Sequence, residues 1–273
     1  MASKAAVTIS ATPDGSLPTF YQTVLDPLET LTFVAVSTSK IALGTSVIDM
    51  LFHNPVILAR RFATLDILSE GRAIAGLGIG WSKDEYRVSN IPFENKGKRA
   101  DEFVQALKKI WTEDIVDFKG EYYNIPPSKI GPKPIQKPHI PIYLGGFVPK
   151  TFADGWLAAQ NGPLEYLDNC IKAFRDQATK ANRDPNQLKV ITLTFPQITG
   201  SSSAKSDKGS RNGDGGKSSQ RNVFTGTIDD IGRDIQGIKQ MGVDHIVFAV
   251  SSDAKGDPKK AIDIAKELSK FAR

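Results

Sequence analysis

The residues of this chain that could do chemistry fall where its apolar runs end. Glycines close the runs AIAGLGIG and IYLGG and follow DGWLAA, and a glycine lets backbone approach a flat or phosphorylated ligand closely. The same glycines could equally relieve crowding between strands. The candidate ligand-binding residues at these ends are Ser46, Val47, Gly80, Gly145, Gly146, Ala159 and Gly162.

Three side chains near these ends are candidates for a catalytic role. Asp49 follows the run IALGTSVI, His53 lies shortly after it, and Trp81 follows GLGIG. His53 could donate a hydrogen bond to a substrate or cofactor, or it could brace its own loop. No serine shows a nucleophile-elbow pattern, no GxxxxGK[ST] loop is present, and no pair of acids stands out. Such a chain is typical of an enzyme whose cofactor carries the reaction.

The cysteine and histidine content argues against a metal centre. The chain has one cysteine, Cys170, and three scattered histidines, so it shows no ligand spacing of the zinc type. A single cysteine also excludes an internal disulfide. Cys170 lies at helical spacing in PLEYLDNCIKAFRDQ, which favours a buried or half-buried small apolar side chain.

The composition is that of a soluble globular protein. Of the 273 residues, 40% are hydrophobic and 24% are charged. The net charge of +5 could indicate nucleic-acid binding, but no run interleaves basic and aromatic residues. A positively charged entrance to a pocket for an anionic ligand explains the charge equally well. No apolar run approaches the ~20 residues that span a bilayer. The start, MASKAAVTIS, has no secretory apolar region, which favours a cytoplasmic location without membrane or nucleic-acid partners.

Strand-like runs alternate with amphipathic helices along the whole chain. The clearest unit is IALGTSVI, then a helix capped by Asn54, then AIAGLGIG. This alternation predicts parallel strands with right-handed crossovers, either as an open doubly wound sheet or as a (β/α)₈ barrel. Long excursions after several strands favour the barrel. We expect one domain over residues 1–273, with a mobile loop at residues 200–222, which are rich in Ser, Gly and Lys.

Several long motifs, in order, resemble one known family. They are DPLETLTFVAVSTSKIALGTSV, HNPVILARRFATLDILSEGRAIAGLGIGW, PFENKGKRADEFVQALKKIW, FKGEYY, PKPIQKPHIPIYLGG and DGWLAA. Together they resemble the bacterial-luciferase-like monooxygenases, and more closely the branch that uses the deazaflavin coenzyme F420. The resemblance implies a TIM (β/α)₈ barrel that is commonly dimeric and binds a flavin or deazaflavin at the carboxyl ends of its strands.

The resemblance also implies roles for individual residues. A non-proline cis peptide beneath the cofactor ring would fall at Ser46–Val47, with Asp49 beside it. Gly80 and Trp81 would line the pocket, and Gly145 and Gly146 would lie near the phosphate end together with the loop from Ala159 to Gly162. On this resemblance we expect the barrel to lack two family elements, the first βα unit and the helix between GGFVPK and DGWLAA.

The function implied is hydride transfer between coenzyme F420 and a small organic substrate by a homodimeric oxidoreductase. A two-component FMN-dependent monooxygenase is an alternative. A non-catalytic flavin-binding relative is a third, which the lacking segments favour. Trp81 stands where sugar-phosphate-oxidising relatives carry an acid, so that substrate is not expected.

Overall fold

The structure is a computed structural model that describes residues 24–146, 153–159, 163–198, 223–249 and 258–271. These residues divide into two compact units. Unit 1 holds the described residues up to Gly145 together with Ala153 and Asp154, and unit 2 holds Gly146 and the described residues from Gly155 onward. The predicted loop at 200–222 and the site of the predicted missing helix lie outside the described residues. The single domain and the missing first βα unit stay predictions.

Unit 1 alternates helices with parallel strands and adds one hairpin. Its elements are α1 (Pro27–Ser37), β1 (Leu43–Gly44), β2 (Ile48–Asp49), α2 (Pro55–Leu68), β3 (Ala73–Gly78), α3 (Lys83–Val88), α4 (Lys96–Thr112), β4 (Val116–Lys119), β5 (Asn124–Ser128) and β6 (Ile142–Gly145). The strands β4 and β5 pair antiparallel and form the hairpin.

The helices α1 and α2 both begin at side-chain caps. The Asp26 carboxylate accepts from the backbone N–H of Leu28 at 2.9 Å, and the Asn54 side chain accepts from Val56 N at 2.9 Å. A proline follows each cap at the first helical position, where its missing N–H costs nothing. Local sequence therefore fixes where α1 and α2 begin.

The run IALGTSVI forms two short strands instead of the single strand predicted. Both β1 and β2 pair parallel with β3, with Leu43 opposite Ala73 and Ile48 opposite Leu77. Between them the Thr45 hydroxyl donates to Gly76 O at 2.6 Å. The Thr45 carbonyl oxygen occupies the space of a side chain on Gly76, since a Cβ there would lie only 1.7 Å away. This close approach interrupts the ladder and sets the direction of β2.

The core of unit 1 lies between its sheet and the helices α2 and α4. Phe62, Phe103 and Trp111 are fully buried there, and the Trp111 indole N–H donates to Ala59 O at 3.0 Å. Asp66 of α2 is also fully buried. Its carboxylate accepts hydrogen bonds from the backbone N–H and the side-chain amide of Gln136, which lies in the extended segment PKPIQKPHIP before β6. The extended segment is thereby held against the back of β3.

Unit 2 is also an alternating α/β arrangement. Its elements are β7 (Gly155–Ala159), α5 (Leu164–Lys180), β8 (Lys189–Thr194), β9 (Gln197–Ile198), β10 (Thr225–Gly226), α6 (Ile228–Gln240), β11 (His245–Phe248) and α7 (Pro258–Ser269). The strands β7, β8 and β11 pair parallel in that order, with Leu157 opposite Ile191 and Ile191 opposite His245. Its core gathers Phe174 of α5, Val190 of β8 and Ile238 of α6. Each unit thus confirms the predicted alternation of parallel strands and helices.

Candidate functional site

A notch in unit 1 forms where β2, β3 and β6 approach their carboxyl ends, and Val47 fills it. A Cβ atom on Gly78 would lie 2.5 Å from Val47 Cγ2, and one on Gly145 would lie 3.0 Å from Val47 Cγ1. Neither position has room for a larger residue, so both glycines are required by the Val47 side chain. Val47 still exposes 37% of its surface and presents an apolar face at the strand ends. The Ser46–Val47 peptide is cis, which confirms that prediction.

The turn after β3 is held on both sides by side chains. Gly80 adopts a φ of +69°, which favours glycine, and its N–H donates to Asp49 Oδ1 at 2.9 Å. Its carbonyl accepts from Lys96 Nζ at 3.0 Å. The preceding carbonyl, of Ile79, accepts from the Tyr86 hydroxyl. The backbone after β3 is therefore fixed by residues of β2, α3 and α4.

Aromatic rings surround this turn. Tyr86 is buried and packs edge-on against Phe52 and Phe93, with ring centroids 4.9 and 5.0 Å apart. The Lys96 ammonium lies 4.2 Å from the centroid of the Phe93 ring, a cation–π contact. A cation held against a ring and a carbonyl is less hydrated than one in water, and its field reaches the nearby carboxylate.

The charged groups of the turn have shifted proton affinities. Burial raises the pKa of the Asp49 carboxyl, against the opposing effects of the Gly80 N–H and the Lys96 charge. Burial lowers the pKa of Lys96, with the Asp49 charge opposing. Burial and then the Asp49 charge raise the pKa of Glu85. A half-buried acid at a strand end, coupled to a lysine and a second acid, is the electrostatic pattern of a functional site.

His53 belongs to a separate group of charges at the start of α2. Arg61 of that helix bonds Asp26 at 2.8 Å and Glu29 at 2.7 Å. Burial and then the Arg61 charge lower the pKa of His53, while Asp26 opposes them. No hydrogen bond from the His53 ring to another described residue is present. Its imidazole is thus biased toward the neutral form, and it does not join the Asp49 group.

Comparison with known proteins assigns the chain to a family. A family model described as luciferase-like monooxygenase matches residues 4–210, which is more than half of the chain. The chain belongs to the luciferase-like monooxygenase family.

Two luciferase-like relatives are similar over part of their length. An uncharacterized protein of Mycobacterium tuberculosis (strain ATCC 25618 / H37Rv) is 36% identical over 182 residues, covering 63% of this chain and 63% of that protein. An F420-dependent glucose-6-phosphate dehydrogenase of Amycolatopsis mediterranei is 34% identical over 176 residues, covering 59% of this chain and 52% of the enzyme. The matches thus span less than two thirds of the length of these curated relatives.

A solved structure shows the same fold. The coenzyme F420 dependent tetrahydromethanopterin reductase from Methanopyrus kandleri superposes with a TM-score of 0.69 at 19% identity, over 93% of this chain and 89% of that one. The luciferase-like fold is of the TIM-barrel type, which agrees with the fold predicted from the sequence. Since the identity is low, this likeness concerns the fold alone.

Unit 1 of this luciferase-like chain brings four of the predicted site residues together: Val47, Asp49, Gly80 and Gly145. Ser46 is exposed beside them, and Trp81 follows Gly80 with 50% of its surface exposed. Their predicted binding roles stay predictions.

The remaining predicted residues belong to unit 2 or lie outside the described part. Gly146 adopts a φ of +126°, and its carbonyl accepts from the Trp156 indole N–H at 2.7 Å. Ala159 ends β7 opposite Leu193 of β8. Gly162 lies outside the described residues, so its role at the phosphate end stays a prediction.

Sequence reasoning missed three members of the Asp49 group: Glu85, Tyr86 and Lys96. All three lie on α3 or at the start of α4, helices that come after the strand end, whereas the predicted site residues were taken from the strand ends themselves. Arg and Lys together number 35 in this chain, so no single lysine stands out by type. The available signal was the two acids and the tyrosine of KDEYRV, shortly after the glycine turn.

Within the part of the chain that the structure describes, no three His, Cys, Asp or Glu side chains come together as a group that could hold a metal ion. In the same residues, no helix is both long and apolar enough to cross a membrane.

Proposed function

We propose that this luciferase-like protein is an oxidoreductase that transfers hydride between coenzyme F420 and a small organic substrate. The observation that carries the proposal is the notch around Val47, where two glycines hold a half-exposed apolar side chain at the ends of parallel strands. Relatives support the choice of cofactor, since curated proteins 34% and 33% identical over the matched region are named F420-dependent glucose-6-phosphate dehydrogenase.

The residues present fit a flat ring system. At positions 78 and 145 the Val47 side chain takes the space of a Cβ atom, and the exposed part of Val47 is the proposed apolar floor beneath the ring. In this proposal Ser46 and Val47 back the ring, while Gly80 and Trp81 line the pocket and Gly145 approaches the phosphate-bearing tail. The phosphate-end roles of Gly146, Ala159 and Gly162 remain predictions.

A bound deazaflavin supplies two-electron hydride chemistry. The chain itself must hold the ring flat, orient the substrate against it and exclude water. The fixed turn at Gly80 suits that task, because its N–H and carbonyl are already bound by Asp49 and Lys96. A backbone bound in this way needs no rearrangement when a ligand arrives.

A second candidate is an FMN-dependent two-component monooxygenase, which the description of the family as luciferase-like monooxygenases favours. A third candidate is a non-catalytic flavin-binding relative. We also propose that the protein is a cytoplasmic homodimer with a small-molecule substrate. Analytical ultracentrifugation of the purified chain tests the dimer, since a monomer at micromolar concentration would contradict it.

The deciding experiment is titration of the purified protein with coenzyme F420 and, separately, with FMN, followed by fluorescence and calorimetry. Micromolar binding of F420 with weaker binding of FMN supports the proposal. Preference for FMN, with oxygen consumption once the FMN is reduced, selects the monooxygenase. Binding of neither cofactor contradicts both enzyme functions.

A matched pair of variants locates the binding site. Val47→Glu places a charge on the proposed floor, and we expect it to weaken F420 binding at least about 10-fold, because a charge buried against an apolar ring is costly. Ile115→Glu makes the same change at an exposed apolar residue just before β4 and should leave binding unchanged. Equal affinities of the two variants would place the site elsewhere.

A further inference from the structure

Unit 2 contains a cavity that the proposed function does not use. It has a volume of about 290 Å³ and lies between α6, β11 and the segment of α7 that ends at Phe271. That volume is close to the ~300 Å³ at which small-molecule pockets begin, so a small organic molecule fits. Six apolar side chains form most of the lining: Ile235, Val243, Ile246, Phe248, Leu268 and Phe271.

The strand β11 supplies one wall of the cavity. Within the part of the chain that the structure describes, one edge of β11 pairs with β8 and no strand pairs with the other edge. Exposure alternates along β11, and its less exposed residues, Ile246 and Phe248, pack against the apolar core formed with α6 and α7. The apolar wall of the cavity is therefore continuous with the core of unit 2.

Two aromatic rings of the lining are held in place by their neighbours. The Phe271 ring takes the space of a side chain on Gly232 of α6, where a Cβ atom would lie 2.4 Å from Phe271 Cε1. Phe248 packs edge-on against Phe224, with ring centroids 5.7 Å apart. Because both rings are already fixed, a ligand does not have to order them, and this lowers the cost of binding.

The polar residues of the lining are exposed and form a rim that favours an anion. They are Lys239, Asp244 and His245. Both oxygens of Asp244 are bound, since Oδ1 accepts from Lys189 Nζ and Oδ2 accepts from Val190 N, each at 2.8 Å. The Lys189 charge therefore offsets that of Asp244, and the Lys239 ammonium leaves the rim with a positive balance.

We propose that this cavity binds an amphipathic carboxylate, with its apolar body of about eight carbons against β11, α6 and α7 and its carboxylate beside Lys239 and His245. A carboxylate is favoured over a phosphate because Asp244 lies on the same rim. A phosphate, which carries a charge of about −2, meets more repulsion there than a singly charged group. The inference does not depend on the proposed cofactor, since none of these residues is assigned to it.

Calorimetric titration of the full chain with four eight-carbon probes tests the head group. Octanoate, octylamine, 1-octanol and octyl phosphate share one chain but differ in charge. We expect octanoate to bind about 10-fold more tightly than octylamine or 1-octanol, because only a carboxylate accepts a charge-assisted hydrogen bond from the lysine without bringing a second charge. Octyl phosphate should bind more weakly than octanoate.

Lys239→Gln removes the cation from the rim, and Lys266→Gln is its matched control. Lys266 lies on α7, pairs with Asp263 at 3.6 Å and does not line the cavity. We expect Lys239→Gln to weaken octanoate binding about 5- to 10-fold and to leave 1-octanol binding unchanged. Lys266→Gln should bind both probes as wild type does.

Methyl NMR locates the bound chain. The Ile246 signal, identified by its loss in Ile246→Val, should shift when octanoate is added. The signal of Ile57, an exposed residue of α2 in unit 1, is identified in the same way with Ile57→Val and should not shift.

Ile246→Phe fills the cavity from its strand wall. We expect it to weaken octanoate binding at least about 10-fold without lowering the melting temperature, since the larger ring occupies empty space. Circular dichroism shows whether this variant folds, and if it does not, Lys239→Gln and the Ile246 signal decide the question.

Separate results would overturn separate parts of the proposal. Octanoate that does not bind below its micelle concentration, or octylamine that binds as tightly, rules out an anion site in the cavity. Octyl phosphate that binds more tightly than octanoate overturns the singly charged head group. Equal octanoate affinities of Lys239→Gln and Lys266→Gln remove the carboxylate from the rim, and octanoate binding that leaves the Ile246 signal unchanged places the chain at another surface.

Discussion

Two aspartates at strand ends, Asp49 in unit 1 and Asp244 in unit 2, have opposite surroundings. Asp244 precedes β11, and its carboxylate accepts from Lys189 Nζ and from Val190 N, both at 2.8 Å. Burial alone would raise its pKa, but these two hydrogen bonds and the charges of Lys189 and His245 hold it below the ordinary value. Asp49 ends β2 with a single N–H donor, and burial raises its pKa.

The difference follows the direction of the strands. Asp244 lies at the amino ends of β8 and β11, where both of its oxygens are bound and it joins two strands. Asp49 lies at the carboxyl end of β2, where barrel enzymes place their chemistry. An acid whose oxygens are all bound stabilises the fold. An acid left partly unbound in a half-buried position costs stability and remains available to a ligand.

The glycines of the two units also have different surroundings. Substitution of Gly76 in unit 1 should have the largest effect on the stability of the protein. In Gly76→Ala the new Cβ would lie 1.7 Å from the Thr45 carbonyl oxygen, a backbone atom that cannot move alone. We expect the free energy of unfolding to fall by about 3 kcal/mol or more, because β1 and β2 must separate from β3. Urea denaturation followed by circular dichroism measures the loss.

Gly237→Ala in α6 is the matched control for Gly76→Ala. A Cβ atom there meets Leu164 Cδ1 at 3.6 Å, an ordinary contact, and alanine favours the helix. A gain of about 0.5–1 kcal/mol is expected. If the two substitutions changed stability by similar amounts, close backbone contact would not explain the glycines of unit 1.

Asp244→Asn should destabilise the protein by about 1 kcal/mol at pH 7, because one of the two donors, Lys189 or Val190, then faces an amide N–H₂. The pKa of Asp244 is lowered in the folded protein, so its ionised form contributes stability above the ordinary value of 3.8. That contribution is lost as the pH falls through the folded pKa.

The difference between wild type and Asp244→Asn should therefore shrink in acid. Urea denaturation at pH 7 and at pH 3 measures both values. A difference that stayed constant between these two pH values would show that the carboxylate charge plays no part.

The local signals of the sequence predicted much of this fold. Asn54, followed by proline, predicted where α2 begins, since a cap depends only on residues within one helical turn, and Asp26 with its following proline has the same local pattern at the start of α1. The break in IALGTSVI could not be predicted in this way. It depends on contact between Thr45 and Gly76, which lie 31 residues apart in the chain.

The candidate site was predicted in its residue types but not in its electrostatics. Asp49 was identified by its position after a strand, whereas its raised pKa depends on burial, which outweighs the opposing effects of the Gly80 N–H and of Lys96 from another helix. The cis peptide at Ser46–Val47 followed only from resemblance to the family, because no local pattern of residue types distinguishes it.

Asp49→Asn should change stability in the opposite direction to Asp244→Asn. The pKa of Asp49 is raised in the folded protein, so the stability linked to its proton is present below the ordinary value of 3.8 and is lost as the pH rises through the folded pKa. At pH 7 the ionised carboxylate is a cost that asparagine removes. We expect a small gain in the free energy of unfolding, below about 1 kcal/mol.

Denaturation of wild type and Asp49→Asn at pH 7 and at pH 3 checks the sign. The gain should be largest at pH 7 and should shrink in acid, because burial raises the pKa of Asp49 and favours its protonated form. A loss of stability at pH 7 would show that the carboxylate of Asp49 stabilises the fold, as that of Asp244 does, and would remove the contrast between the two acids.

The smallest expected effect concerns His53, the other titratable candidate that follows β2. Because burial and then the Arg61 charge lower its pKa, Arg61→Gln should raise that pKa toward the ordinary value of 6.5, with Asp26 adding to the rise. Loss of the Arg61 ion pairs, which are partly exposed, should cost less than about 1 kcal/mol. Arg60→Gln removes a neighbouring positive charge that does not affect His53 and serves as the control. Proton NMR of the imidazole measures both variants. If the two variants gave the same His53 pKa, the Arg61 charge would not contribute to lowering that pKa. His53 would then be distinguished from the Asp49 group only by where it lies.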